Sequence, residues 1–441
     1  MAIIKNQSLF TWEEWDDEAN LGDLKRLRAV MDSLPDEELM LMLEEERGKG
    51  RDDHPVRAMW NSLVAMFVFG HPSVESLRRE LSRNAQLRAM CGFDMFSRTP
   101  VPSSASYSRF TARILEHRHE TEALFWRLLE RVGAVLPGFG EILGVDGKAV
   151  ASRARKTSDN PRSGGRGEHD ANRGVKKVFR DHADGTREEV LKTWFGFKVH
   201  AVVDCTYELP VAFTVTRASA GELPEAERIL STLAAEHPGL LGRCRYFTAD
   251  RGYDSARLIG TLWEEHGIRP VIAIRNMRGG DEGGDGTRRL RAGPGNITYD
   301  YRGNVYCHSS GGERYRMAHG GFEASRASTK FRCPALHYGM SCPDCGTCPV
   351  GTAVRIPLSE DPRVFTPLAR ASYVWQDIYD KRGACERVFS RLAGSFGVDV
   401  RLCRGLDKVT SFVTIAFSLM LAVALGHVRE NNPELVRSLL A

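Results

Sequence analysis

Three acidic residues stand where a chain can hold a side chain accurately. Asp146 falls in the apolar run Glu141 to Lys148 (EILGVDGK), which reads as a strand, and Asp250 follows a second strand, Arg245 to Thr248. Strand interiors and ends fix a side chain better than loops do. The third, Glu386, lies in a helical stretch from Tyr373 to Leu392. At about 100° per residue, Tyr379, Arg382 and Glu386 share one sector, at the edge of an apolar stripe formed by Val374, Ile378, Cys385, Val388, Phe389 and Leu392. An Arg–Glu pair four residues apart is also an ordinary surface ion pair worth a few tenths of a kcal/mol. That reading leaves the two strand aspartates unexplained. Three converging carboxylates repel unless cations separate them, and two divalent ions ~3.5–4 Å apart are the usual solution. Such a pair activates a water or a sugar hydroxyl and stabilises the leaving oxygen of a phosphodiester. Oxygen-only ligands favour Mg²⁺ or Mn²⁺, and two such ions are expected here.

A second group of reactive side chains lies downstream. Cys307, Cys333, Cys342, Cys345 and Cys348 fall within 42 positions, the last three as CxxCxxC. A tetrahedral zinc takes four thiolate or imidazole ligands. Five cysteines compete for four places, with His308 and His337 also at hand. The spacing favours a structural Zn²⁺ without selecting its ligands; reduced thiols and an iron–sulfur cluster are the alternatives. Cys91, Cys205, Cys244, Cys385 and Cys403 sit singly among apolar neighbours, as core thiols do.

The elements around these residues suggest an α/β protein with added parts. The chain has 441 residues, 42% hydrophobic and 27% charged, which excludes a disordered chain or a low-complexity fibre. Its 61 Lys+Arg against 57 Asp+Glu give a net charge of +4, too small an excess to argue a nucleic-acid partner. Residues 1–50 read as an acidic helical segment. Residues 51–137 read as helical, with Pro55 to Phe69 broken by Gly70-His71-Pro72 and a second helix, Val74 to Leu87, capped by Ser73 and carrying Arg78 and Arg79. That pair fits a helix-turn-helix reader of DNA, a common pattern in proteins that never touch DNA. A longer helix is expected from Ala105 to Val135, with His117 and His119 on its surface. Residues 138–275 alternate strands and helices in the order β-β-β-α-β-α-β, implying a mixed sheet flanked by helices. Residues 276–372 lose this regularity and read as an insertion, and residues 373–441 resume as helices.

Between Lys148 and Arg180 stand ten Lys/Arg against three Asp/Glu, including Arg153, Arg155 and Lys156. A solvated charge run and a phosphate-binding loop are equally good readings. Lys198 and His200 alternate on one face of the strand Trp194 to Val203; they either approach the site or pack at the sheet. The apolar stretch Val409 to Leu425 falls short of the ~20 residues of a membrane span and is expected to be a buried helix. No signal peptide is legible at the N-terminus, so a cytoplasmic protein without membrane attachment is expected.

With these residues in view, the motifs GVDGK (144–148), WFGFKVH (194–200), ADRGYDS (249–255) and Y-x2-R-x3-E (379–386) resemble DDE transposases of bacterial insertion sequences, in the branch with a Tyr-Arg-Glu-Lys signature. The segment HPVRAMWNSLVAMFVFGHPSVESLRREL resembles that family's N-terminal DNA-binding part. The resemblance implies an RNase H-like catalytic core in which Asp146, Asp250 and Glu386 are the metal-binding triad. It further implies that Tyr379 and Arg382 contact DNA, that the partners are the element's terminal repeats and target DNA, and that paired ends are held by a homodimer associated with the nucleoid. The signature lysine, seven residues after Glu386, is replaced by Ala393, and Arg391 lies on another helical face. Two rival readings use the same features: a metal-dependent nuclease without strand transfer, and an inactive transposase-derived DNA-binding protein.

Overall fold

The computed structural model describes residues 21–47, 54–94, 101–152, 167–181, 187–275, 286–291, 293–399 and 404–438. Among the described residues seven helices precede the first strand: α1 (Leu24–Ser33), α2 (Glu37–Arg47), α3 (Val56–Val68), α4 (Val74–Arg83), α5 (Ala85–Cys91), α6 (Ser104–Glu116) and α7 (Arg118–Val135). Ser73 caps α4 as its position predicts, accepting from Ser76 N at 3.2 Å. The second helix of the pair stops at Arg83, however, because Asn84 caps a new helix by accepting from Leu87 N at 2.9 Å. The long helix expected from Ala105 is likewise two helices, parted at His117. His117 is no free surface histidine, since its Nε2 lies 2.7 Å from Glu46. His119 is exposed.

The central sheet runs β2 (Asn172–Asp181), β3 (Arg187–Asp204), β1 (Ile142–Ala151), β5 (Tyr246–Ala249) and β6 (Arg269–Ile272), with β4 (Leu209–Arg217) also on β3. β1 is antiparallel to β3 and parallel to β5, which is parallel to β6. This mixed sheet, with α8 (Glu222–Glu236) following β4, is RNase H-like, as expected. It has one strand more than the sequence pattern gave. β2 was hidden in the basic run, and it pairs with residues 187–196 of β3, an 18-residue strand. At Gly196 the two edges of β3 are both occupied, by Ala151 and by Asn172. A Cβ there would lie 2.3 Å from the Val150 carbonyl oxygen, so only glycine permits the approach.

The segment after β6 is not irregular. It forms two small antiparallel sheets, β10-β9-β8-β7 (Arg314–Arg316, Val305–His308, Ile297–Asp300, Thr287–Arg289) and β11-β12-β13 (Ala318–Glu323, Ser328–Arg332, Ala353–Pro357). Three- to six-residue strands bury too few side chains to leave a readable alternation. The helix expected over Tyr373 to Leu392 is also two, α9 (Tyr373–Asp380) and α10 (Gly383–Ala393). Across the break the bonds tighten to a three-residue span, Arg382 N to Tyr379 O and Cys385 N to Arg382 O, the 3₁₀ pattern that re-aims a helix.

The last helix, α11 (Leu406–Arg429), is 24 residues long and apolar enough to cross a membrane, longer than expected, yet 89% of its apolar window is buried inside the protein. It packs against α1, α7 and β4, with Phe417 and Phe125 both edge-on to Phe213. One continuous core thus joins the N-terminal helices, the sheet and α11, while the two small sheets have a separate core around Ile297, Phe331 and Ile356.

Candidate active site

Strand register brings the two aspartates together. Val145 is the last residue of β1 paired with β5, opposite Ala249, so Asp146 and Asp250 emerge next to one another where the two parallel strands part. Asp250 directly follows β5 and turns the chain, its Oδ1 accepting from Gly252 N at 2.6 Å. Asp146 Oδ1 accepts from Gly147 N at 2.8 Å.

The glycines of the two motifs make room. A Cβ on Gly144 would sit 2.7 Å from Cys205 Sγ and 3.0 Å from Cys385 Sγ. That bare backbone lets α10 press onto β1 through Cys385, the residue next to Glu386. A Cβ on Gly147 would sit 3.2 Å from Glu222 Oε1, and one on Gly252 would sit 2.7 Å from Asp250 Oδ1 and 3.3 Å from Glu222 Oε2. The carboxylate of Glu222, at the first turn of α8, therefore lies between the glycine beside Asp146 and the glycine beside Asp250. Sequence reasoning missed it, because an acid opening a helix reads as a partner of the helix dipole. The usable signal was its place just after β4.

Arg382 ties in the third acid. Its guanidinium is 3.7 Å from Asp146 Oδ2 and 3.2 Å from Glu386 Oε1, so one cation spans both carboxylates. It also lies 5.9 Å from the Tyr379 ring, and Tyr379 stacks on Trp375 at 5.0 Å. Glu386 itself is open, with its side chain 66% exposed, whereas that of Asp146 is 15% exposed. Burial pushes the Asp146 carboxyl up to about 6; the Gly147 amide, Lys176 and Arg382 pull it down, and the charge on Asp250 adds to the rise. For Arg382 burial works against the charge, but Asp146, Tyr379, Glu386 and Asp250 outweigh it and raise the guanidinium further. Behind the acids, Tyr253 is fully buried and its hydroxyl has no hydrogen-bond partner. Its ionisation is suppressed by burial first and then by Asp146, Glu222 and Asp250, which places those carboxylates around it.

The remaining expected site residues divide. Lys198 is buried beside the site, with Nζ 3.1 Å from the Ala220 oxygen and 3.4 Å from Glu222 Oε1. His200 does not serve as a DNA contact: it is 0% exposed, with Nε2 3.0 Å from Thr216 Oγ1, and burial pushes it down to about 4, neutral inside the sheet. Arg78 is committed within the fold, to the Pro102 oxygen at 2.8 Å and to Glu75 at 2.8 Å, while Arg79 is exposed. Arg153, Arg155 and Lys156 lie outside the described residues. Ala393 ends α10, and Arg391 is no substitute for the missing lysine, since it bonds the carbonyls of Arg437 and Glu208. Cys91, Cys205, Cys244 and Cys385 are buried free thiols as expected, and Cys403 lies outside the described residues.

As placed, no three His, Cys, Asp or Glu side chains among the described residues stand close enough together to hold an ion. The chemistry of the cleft nevertheless fits a hard divalent cation. All its donors are oxygens, one carboxyl is raised by desolvation, and a guanidinium already supplies positive charge between two of the acids.

A family model described as a transposase DDE domain matches residues 176–422, more than half of the chain and inclusive of Asp250 and Glu386. A second, described as a transposase domain (DUF772), matches residues 12–113. No curated protein matches. Among solved structures the chain is similar to a piggyBac transposase in a synaptic complex with hairpin DNA. The TM-score is 0.39 and the identity 10%, over 95% of this chain and 79% of that one, a likeness too distant to carry an argument.

Proposed function

The chain belongs to the DDE transposase family, and on that premise we propose that it cuts the ends of an insertion sequence and joins them to target DNA. The observation that carries this reading is the meeting of Asp146 and Asp250 at the parting of two parallel strands, with Glu386 tied to Asp146 through Arg382. Asp146, Asp250 and Glu386 would hold two Mg²⁺ or Mn²⁺ ions. When bound, such ions supply activation of the attacking oxygen and stabilisation of the leaving one. The residues fix the order of events around that chemistry. Strand register sets the backbone of Asp146 and Asp250. Glu386 must leave Arg382, which then faces a phosphate, and a guanidinium binds phosphate oxygens well. Tyr379 backs Arg382, and Lys198, buried against Glu222, would have to leave that carboxylate to meet a second phosphate. The first nucleophile is water and the second the freed 3′-hydroxyl; one site serves both.

In this reading the protein belongs to the bacterial insertion-sequence branch with the Tyr-Arg-Glu-Lys signature. It works on the nucleoid in the cytoplasm, as a homodimer when two ends are paired, with residues 51–137 recognising the terminal repeats and residues 138–275 and 373–441 forming the catalytic part. Ala393 favours a second reading, cleavage without strand transfer or binding without cleavage. Assays on labelled end-bearing DNA separate them: joined products support the transposase, nicks alone the nuclease, and end binding without nicks the inactive form. Unchanged cutting by Asp146→Asn would refute the site.

A further inference from the structure

The five cysteines after β6 line a single cavity of about 250 Å³. Cys307 comes from β9 in the four-stranded sheet, and Cys333 directly follows β12 in the three-stranded one. Cys342, Cys345 and Cys348 come from the loop before β13. The cavity is therefore the seam between the two small sheets. Among the described residues their shared apolar core holds twelve buried residues, a size at which small folds need a staple.

The loop is shaped for more than closure. Cys333 N donates to Thr352 O at 3.0 Å, pinning both ends of the segment together. Asp344 accepts from Ser310 N at 2.6 Å and from Ser310 Oγ at 2.5 Å, which fastens the loop to the turn after β9. Within it Cys345 N donates to Cys342 O and Cys348 N to Asp344 O, and Gly346 turns the chain at φ +93°. The Asn296 side-chain amide donates to Cys348 Sγ at 3.4 Å, the kind of bond that supports a thiolate. The sulfurs are not equivalent. Cys307 is buried, Cys333, Cys342 and Cys348 are half-buried, and Cys345 is exposed. All nine described cysteines are free, so no disulfide does the stapling.

We propose that Cys307, Cys333, Cys342 and Cys348 bind one structural Zn²⁺ that locks the two small sheets together, with Cys345 outside the ligand set. The thiols line the cavity without converging, so binding requires them to close to the ~2.3 Å of a Zn–S bond. Structural zinc contributes its binding energy directly to folding, which is what a seam with so small a core lacks. This inference does not depend on the DNA chemistry proposed above.

The test uses the full chain purified without chelator, with metal content by mass spectrometry and cobalt substitution as the optical probe. One zinc per chain is expected, and Co²⁺ added to the zinc-stripped chain should give thiolate charge-transfer bands and the intense d–d bands of a tetrahedral site. Cys345→Ser should keep both, whereas Cys307→Ser or Cys348→Ser should lose at least tenfold in zinc affinity. Sub-stoichiometric zinc with no tetrahedral cobalt spectrum would overturn the proposal. So would iron with visible sulfide absorption, or loss of zinc from Cys345→Ser equal to that from Cys348→Ser. Because the wild-type spectrum and Cys345→Ser need no ligand to be removed, a misfolded variant cannot decide the outcome.

Discussion

The acidic cleft and the cysteine seam gather reactive side chains by opposite means. In the cleft, strand register and bare glycines set the acids: β1 beside β5 delivers Asp146 and Asp250, and Gly144, Gly147 and Gly252 let neighbours close in. In the seam, the thiols hang on short strands and a loop around a small separate core. The cleft is held by the largest core among the described residues, which sets the backbone of Asp146 and Asp250 before any ligand arrives, while Glu386 is still paired with Arg382. The seam has its geometry completed by what it binds. Accuracy therefore comes from the backbone in one region and from an ion in the other.

The sharpest way to break this contrast is to remove an acid. Asp146→Asn or Asp250→Asn is expected to lower metal-dependent cleavage by roughly a thousandfold or more, since removing one main stabiliser of developing charge already costs 10²–10³. End binding in a mobility-shift assay should persist. If backbone packing is what orients the cleft, a Cβ at Gly144 should be nearly as harmful. Gly144→Val would collide with Cys205 and Cys385, and a thermal melt should show a loss of about 2–3 kcal/mol together with weakened cleavage. A melt unchanged from wild type would mean that α10 is free to shift.

The pH response separates function from stability at a single residue. The Asp146 carboxyl is raised to about 6 from 3.8, so its contribution to stability is complete below its unfolded value and is lost as pH rises through about 6. Without divalent ions, Asp146→Asn should therefore be more stable than wild type above pH 6, by on the order of 2 kcal/mol in urea titrations. The difference should shrink at pH 4, and Mn²⁺ should reverse it by stabilising only the wild type. A smaller effect is expected of Glu222→Gln: about a tenfold rise in the Mn²⁺ concentration needed for half-maximal stabilisation, with the fold intact. No change there would make Glu222 a partner of Lys198 and nothing more.

How much of this was legible follows from what local sequence encodes. Asp146 and Asp250 could be read because an acid in or after an apolar strand is anomalous by itself, and Glu386 because Arg382 precedes it by one helical turn. Glu222 could not, since its significance lies in contacts with Gly147 and Gly252, 75 and 30 positions away. Tertiary pairing also overrode local pattern: β2 forms from a basic run because β3 offers it an edge. The break between α9 and α10 hides inside a good helical pattern, where only the tightened turn at Arg382 reveals it. The buried fate of His200 was left open because alternation along a strand assigns a face, not a depth.

Arg382, shared between Asp146 and Glu386, has a consequence for when the protein can act. The site carries its own counter-charge for two of its three acids. A cation held by Asp146 and Glu386 would take the place of the Arg382 guanidinium, which would then be free to meet a phosphate. Ion loading and strand capture would then be one exchange of partners, with arming of the blade deferred until its target is at hand.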